Sequence, residues 1–491
     1  MDPKLLMDKR DQLSFEILSE LNKSSNQPVD VNEIAANLGL SAYKLNSSLE
    51  YINNDLVELA DTQNAHVIVI SKGIWQSENL SNLIVQKIKL AYFNRSQLFP
   101  AFEYLMFYDE VLTPNQFLNQ SYLSRAALYR NIKSAKSIIK KHLNLKEFGS
   151  AANLEFRYRL VLFQLYYNVY SGLEVPFPKL NDLINDLISD CEPYFDRPLR
   201  LSQEFKLSVF LRIWIMRHRN QKINTDSVVV IDKEDAKYPE LFQKIKKTLG
   251  RKFALDHAEM GYLYGFLLAK QYIKQSNDHE INTNFPLASK LSDHFIDFIE
   301  KHHIIDAPMG PNLKDGLRAD LLNVNLQLTS FYIEPTTFVR ENSVKFFKKS
   351  YPSFDIVINR FLKTFEKNEG FTLDRSNQIN LYYGYVFALI NNIPAHSLTE
   401  RVYIAVDFSQ GDLYTDYVIS SLDAFHHANI IIEEKASANT DIYISDVFAQ
   451  KLHLPQLTWE DPPTPSDWED LGAMIESIRA SKASALFKTY R

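Results

Sequence analysis

The segment KLNDLINDLI at 179–188 returns as KLSDHFIDFI at 290–299, an offset of 111 residues, and FALDHAEMGYLYGF at 253–266 returns as FTLDRSNQINLYYGY at 371–385, an offset of 118 with one insertion. Two matched pairs, in the same order and at nearly equal spacing, predict a duplicated unit. Apolar residues recur at helical spacing through both copies, so the expectation is two all-helical domains, at 166–284 and 285–397.

The duplicated region is less than half of the 491 residues, and one hydrophobic core seldom organises a chain of that length. With 45% hydrophobic residues, 19 Pro and only 13 Gly, the composition is that of a folded, helix-rich protein with little material for Gly-rich nucleotide loops. The single cysteine, Cys191, excludes an intramolecular disulfide and a cysteine-based zinc cluster, which suits a reducing cytoplasm. Charges interrupt MDPKLLMDKRDQ before a secretory signal could form, and apolar runs such as LSVFLRIWIM stop short of the ~20 residues of a membrane span. A cytoplasmic location without a membrane partner is expected.

Residues 10–60 hold three apolar-periodic segments with the spacing of a helix-turn-helix. Ile34, Ala35 and Leu38 face inward, Gly39 supplies the tight turn, and Ser41 caps a helix on which Leu45 and Leu49 recur four residues apart. HVIVISKGIW, turning at Lys72 and Gly73, reads as a two-stranded wing, which completes a winged helix-turn-helix module at 1–75. A second module at 76–165 repeats the pattern with SQLFPAFEYLMFY, then TPNQFLNQSYL opened by Thr113 and Pro114, then SRAALYRNIKSAKSIIKKH capped by Ser124.

That last segment, 124–142, holds six Lys and Arg and no Asp or Glu, in a chain whose formal net charge is -6. Leu128, Ile132 and Ile139 can face a core, which leaves Arg125, Tyr129, Arg130, Lys133, Lys136, Lys140 and Lys141 outside. A phosphate-contacting recognition helix on double-stranded DNA needs this distribution, because each neutralised phosphate releases counterions. A solvated helix face is the plainer alternative, although such faces usually mix both signs. Residues 1–60 carry five Lys and Arg against ten Asp and Glu. The first module is therefore expected either to assist through Ser41, Tyr43, Lys44, Asn46 and Ser47 or to serve packing.

After Pro394 the texture changes. RVYIAVDFS, the helix YTDYVISSLDAF, and the strands ANIIIEE and TDIYISD predict a small parallel α/β domain at 398–491, with LPQLTWEDPPTPSDW as a loop before a closing helix. It is acidic, with 7 Lys and Arg against 14 Asp and Glu over 401–491, and not expected on DNA. The chain as a whole is expected to be multi-domain and mainly α. No Walker, dinucleotide-binding, zinc-protease, nucleophile-elbow or CxxC pattern occurs, so no enzyme activity, cofactor or metal is expected. His426 and His427, adjacent on a helix, point apart and read as a solvated end. The aromatic runs QLYYNVY and NLYYGYVF read as helix packing.

This order of parts resembles the Mga-like family of Gram-positive transcriptional regulators, along essentially the whole chain. LEFRYRLVLFQLYYNVYSGLEVPFP at 154–178 is its most specific stretch. The resemblance implies a DNA-binding regulator, typically an activator, with two phosphotransferase-system regulation domains and a C-terminal domain similar to enzyme IIB. It also implies histidine phosphorylation by the phosphocarrier protein or enzyme IIB, and dimers or larger oligomers. The phosphoryl candidates are His218, with Arg217 and Arg219 beside it, then His257, and in the second domain His294, His302, His303 and His396. The repeat aligns His257 with Arg375 and His294 with Leu183, which argues against symmetrical regulation. The C-terminal domain departs from a transferring enzyme IIB: the loop after its first strand, DFSQGDL, has no cysteine, and Ser409 and Asp407 are poor substitutes. It is expected to bind partners or its own copy, with a homodimer the expected assembly. An RNA-binding antiterminator or a non-enzymatic phosphotransferase-system scaffold are the competing readings; helical N-terminal modules disfavour the first.

Overall fold

Near the N-terminus, local chemistry sets the helix ends. Helix α2 (Val31–Leu38) starts where the Asp30 carboxylate accepts the Asn32 N–H at 2.8 Å, and stops at Gly39, whose φ of +63° suits a residue without Cβ. The computed structural model describes residues 2–489 except 25, 60–63, 120–123, 143–153, 224–236, 252, 274–284, 330–340, 370–374, 423–428 and 461. It divides into two units, Met1–Ser276 and Asn277–Arg491. No helix among the described residues is long and apolar enough to cross a membrane.

In the first unit, α1 (Lys9–Lys23), α2 and α3 (Ala42–Leu59) pack against a three-stranded antiparallel sheet. Strand β1 (Val29–Asp30) pairs with β3 (Ile74–Glu78), and β3 pairs with β2 (His66–Ser71), across a turn where Gly73 has φ +84°. Ile17, Leu18, Leu21, Ile34, Leu45, Ile52, Val67 and Trp75 close the core. Helix α4 (Asn82–Arg95), not singled out by periodicity, is tied down by its last residue. Arg95 donates to Asp11 at 2.7 and 2.8 Å and to Asp55 at 2.8 and 2.9 Å, uniting α1, α3 and α4 around two buried carboxylates.

Then follow α5 (Leu98–Phe107), α6 (Pro114–Leu118), α7 (Arg125–His142), α8 (Leu154–Tyr170), α9 (Asn181–Cys191), α10 (Leu201–Arg219), α11 (Lys237–Leu249) and α12 (His257–Ala269). The boundary expected at 165/166 falls inside α8, because Phe163, Tyr166 and Val169 are all buried along one continuous helix. Phe163, Phe210 and Phe266 join α8, α10 and α12, with ring centroids 3.7–5.8 Å apart.

The second unit begins with α13 (Pro286–Lys301), α14 (Pro311–Thr329), α15 (Glu341–Ser350), α16 (Pro352–Glu369) and α17 (Arg375–Asn392). The first repeated pair lies on α9 and α13 and the second on α12 and α17, although 371–374 lie outside the described residues. Inside this bundle the Tyr385 hydroxyl donates to Asn325 Oδ1 at 2.9 Å, and Asn325 Nδ2 donates to Ser292 Oγ at 3.0 Å, a buried polar chain across three helices. Gly384 lets α14 and α17 approach, since a Cβ there would stand 2.5 Å from Val324 Cγ1.

Strands β4 (Val402–Val406), β5 (Ile430–Glu433), β6 (Ile442–Ser445) and β7 (Gln456–Thr458) form a wholly parallel sheet in the order β5-β4-β6-β7. The small parallel α/β domain is as expected from sequence, with one correction: β7 lies where the sequence reading has a Pro-rich loop. Three residues are too few to show a period, and the Gln456 side chain fixes them by exchanging hydrogen bonds of 2.9 Å with the Ala449 backbone. Helix α18 (Asp412–Leu422) follows β4, and α19 (Pro465–Thr489) closes the chain. Helix α19 serves two cores: Leu471 and Ile475 pack on the sheet, whereas Phe487 enters the helical bundle. His426 and His427 lie outside the described residues.

Candidate nucleic-acid interface

Helix α6 opens with a reciprocal cap. Thr113 Oγ1 accepts the Gln116 N–H at 3.4 Å, and the Gln116 side chain accepts the Thr113 N–H at 2.8 Å. Helix α7 opens with Ser124, whose Oγ accepts the Ala127 N–H at 3.2 Å. Leu128 and Ala135 of α7 are fully buried, with Ile132, Ile138 and Ile139 half-buried beside them, and the helix packs on α5. Asn131 Nδ2 donates to the Gln97 carbonyl at 2.9 Å and fixes the rotation of α7.

That rotation leaves Ser124, Arg125, Tyr129, Arg130, Lys133, Lys136, Lys140 and Lys141 exposed. Tyr129 retains 48% of its surface, with the Arg125 guanidinium 5.9 Å from its ring centroid. Among the described residues none of the six cations forms an ion pair, so their field is uncompensated locally.

In α3, Ser41 Oγ accepts the Lys44 N–H at 3.4 Å as the expected cap, and Tyr43, Lys44, Asn46 and Ser47 are exposed. Tyr43 is 82% exposed. Ser47 spends its hydroxyl on the Lys44 carbonyl at 2.9 Å. At the hairpin tip, Val69 and Ile70 stand exposed beside Lys72. Alternation alone gave no reason to look for apolar side chains there. Glu50 and Glu58 make the far half of the α3 surface acidic, so the cationic surface is concentrated on α7.

No family model and no curated protein matches this sequence.

The candidate histidines are scattered rather than gathered. His218, the leading candidate in the sequence, is 5% exposed, its ring stacked 3.4 Å from that of Phe253. Burial lowers its imidazole pKa from the ordinary histidine value, which favours the neutral form. The phosphate-stabilising role expected of Arg217 is corrected: it is buried, and its guanidinium is committed to both Glu155 oxygens and to the Met106 carbonyl. Arg219 is exposed. His302 is buried at the end of α13, with Nδ1 2.8 Å from the Phe298 carbonyl. His257, His294, His303 and His396 are exposed. His257 occupies the first turn of α12, after the Asp256 cap, with its Nδ1 3.1 Å from the Tyr238 hydroxyl and its ring parallel to Phe242 at 4.9 Å.

At the carboxyl ends of β4 and β6, where the connections leave the sheet in opposite directions, the loop DFSQGDL meets Asp446. The Ser409 hydroxyl and N–H both donate to the Asp446 carboxylate, and the Tyr443 hydroxyl donates to Asp407 at 2.9 Å. The Ser409 hydrogen bonds hold the Asp446 carboxyl below the usual range. Two carboxylates at this loop repel a phosphoryl group. Cys191 lies on α9, where burial pushes its thiol up to about 12, so it is no nucleophile. Among the described residues no group of three or more His, Cys, Asp or Glu side chains could hold a metal.

Sequence reasoning missed two titratable groups, Lys89 buried and Glu103 half-buried, that pin the N-terminal helices to α8. Lys89 on α4 donates to the Asn168 carbonyl at 2.5 Å and to its Oδ1 at 2.8 Å, and burial pushes its pKa down to about 8. Glu103 on α5 accepts from the Tyr166 hydroxyl at 2.6 Å, and burial pushes its carboxyl up to about 7. Both sit among aromatics that read simply as core.

Proposed function

We propose that this chain is a DNA-binding transcriptional regulator of the Mga type, an activator in keeping with the resemblance, whose helix α7 grips the backbone of double-stranded DNA. One observation carries the reading: six exposed cations on one helix, unpaired with any carboxylate among the described residues, in a chain of net charge -6. Like charges four residues apart on a helix cost roughly 0.2–0.5 kcal/mol per pair, and a polyanion turns that cost into attraction by releasing counterions. The first module supports the reading. Three helices and a hairpin whose strand β3 also pairs β1 support reading it as a winged helix-turn-helix, with Tyr43, Lys44 and Asn46 exposed and able to reach a groove.

In this reading the bundles over α9–α12 and α13–α17 are the regulation domains. A phosphocarrier can reach His257, His294, His303 and His396, whereas His218 and His302 are withdrawn by burial. His257 is the favoured acceptor, because the N–H groups of the first turn of α12 favour an added negative charge. The C-terminal α/β domain lacks the transferring cysteine and serves partner binding and homodimer formation.

Duplex binding by the variants Arg130→Ala and Lys133→Ala tests the proposal. Each should weaken binding several-fold at 100 mM salt, through loss of about one phosphate contact, while the oligomer stays intact. Wild-type affinity in both removes α7 as the DNA contact. Phosphohistidine mapped after incubation with phosphocarrier protein should fall at His257 and not at His218. The absence of any phosphohistidine within 166–397, under conditions that label a control, removes the sensing role.

A further inference from the structure

Helix α5 carries α7, and its C-terminal end is held by the end of α10, in the same unit. The last carbonyls of a helix have no partner within it. Here the Met106 carbonyl accepts from Arg217 Nη1 at 2.5 Å and from Asn220 Nδ2 at 3.3 Å, both from the end of α10, more than 100 residues away in sequence. Arg217 also sets a cation against the negative pole of α5.

Asn220 does more than cap. Its side chain is fully buried, its Nδ2 also donates to Asp109 Oδ1 at 2.8 Å, and its Oδ1 accepts the Glu110 N–H at 3.0 Å. One amide thus holds three successive parts of the corner between α5 and α6. Lys222 closes its rim on Glu110 at 2.5 Å. Beyond the corner, the Tyr104 hydroxyl donates to the Leu112 carbonyl at 3.1 Å, and Phe117 of α6 packs on Tyr104 and Tyr108 with centroids 5.1 and 5.4 Å away. Helix α6 is therefore fixed relative to α5, and α7 packs on both.

We propose that Asn220, supported by Arg217, is a positioning residue for duplex binding: it locks the α5–α6 corner to the end of α10 and so sets the direction in which α7 presents its cations. Buried as they are, neither side chain reaches the duplex. The inference rests on the DNA reading and adds the joint through which the helical domain controls it. The same turn of α10 carries His218.

Three variants test the joint in the full-length chain, with a random-sequence DNA duplex titrated at fixed salt and affinity expressed per folded molecule. Asn220→Asp sets an oxygen against Asp109 and the Met106 carbonyl, and should weaken binding about tenfold or more as α7 loses two or more phosphate contacts. The double variant Asn220→Asp/Asp109→Asn restores donor and acceptor across the Asp109 gap in reversed sense, although not at the Met106 carbonyl, and should recover part of the loss. A merely structural role lowers the folded fraction without changing the affinity of the molecules that remain folded. Asp109→Ala, at a half-exposed site the fold tolerates, removes a negative charge, so electrostatics alone predicts tighter binding, whereas the joint predicts weaker binding. Tighter or unchanged binding by Asp109→Ala, or a double variant as weak as Asn220→Asp, overturns the positioning role while the DNA reading stands. A wild-type chain that leaves the duplex free overturns both.

Discussion

Replacing Arg159 with Met should destabilise the first unit by about 3–5 kcal/mol at pH 7, the range for removing one partner of a buried ion pair. The Arg159 and Glu259 side chains are both 0% exposed. The guanidinium donates to both Glu259 oxygens at 2.8 Å, to Glu155 at 3.0 Å and to the Lys222 carbonyl at 2.7 Å, and Trp214 Nε1 donates to Glu259 at 2.5 Å. Methionine fills most of the volume but leaves the Glu259 carboxylate without its bidentate cation. A stranded buried carboxylate raises its own pKa, so the folded state then holds a proton that the unfolded chain releases. The sign follows: the penalty is small near the ordinary carboxylate pKa and grows by up to about 1.4 kcal/mol per pH unit above it, until the raised pKa is reached. Adding Glu259→Gln removes the charge and should recover about 2 kcal/mol. Urea unfolding followed by tryptophan fluorescence, in which Trp214 reports directly on this contact, at pH 5 and pH 8 measures both quantities. A loss below about 1 kcal/mol, or the same loss at both pH values, refutes the reasoning.

Glu103→Gln should stabilise the protein at pH 8, by up to ~3 kcal/mol, and have no effect at pH 4. With its carboxyl pushed up to about 7 from the ordinary value of 4.5, Glu103 makes stability fall as pH rises between those values, and glutamine keeps an acceptor for Tyr166. A variant less stable at pH 8 would show that Glu103 is held ionised by its neighbours. Gly384→Ala should lower stability by about 1–3 kcal/mol, because the new Cβ lies 2.5 Å from Val324 Cγ1, and Val324→Ala in the same chain should return part of that. Strictly additive losses would place the strain elsewhere.

The surface of α7 was legible because it is a local property: Leu128 and Ala135 on one side and six cations on the other are fixed by helical period. The caps at Thr113 and Ser124 were legible for the same reason. Contacts set by the fold were not. Arg217 looks like any exposed arginine until Glu155 meets it across 62 residues, and His218 looks accessible until Phe253 stacks on it. Asn220 carries no signal in MRHRNQK, since its value comes from a corner 110 residues earlier. Both matched segments of the expected repeat fall largely on helices in each bundle, but the polar groups buried there differ: an Arg–Glu pair in the first and a Ser–Asn–Tyr hydrogen-bond chain in the second.

The central claim is that α7 exists to neutralise phosphates, and the salt dependence of duplex binding measures that directly. With six exposed cations engaged per protomer, log affinity should fall against log salt with a slope of about −5, close to a 10³-fold loss between 50 and 200 mM. A slope near zero, with binding that persists unchanged at 200 mM, would contradict the account.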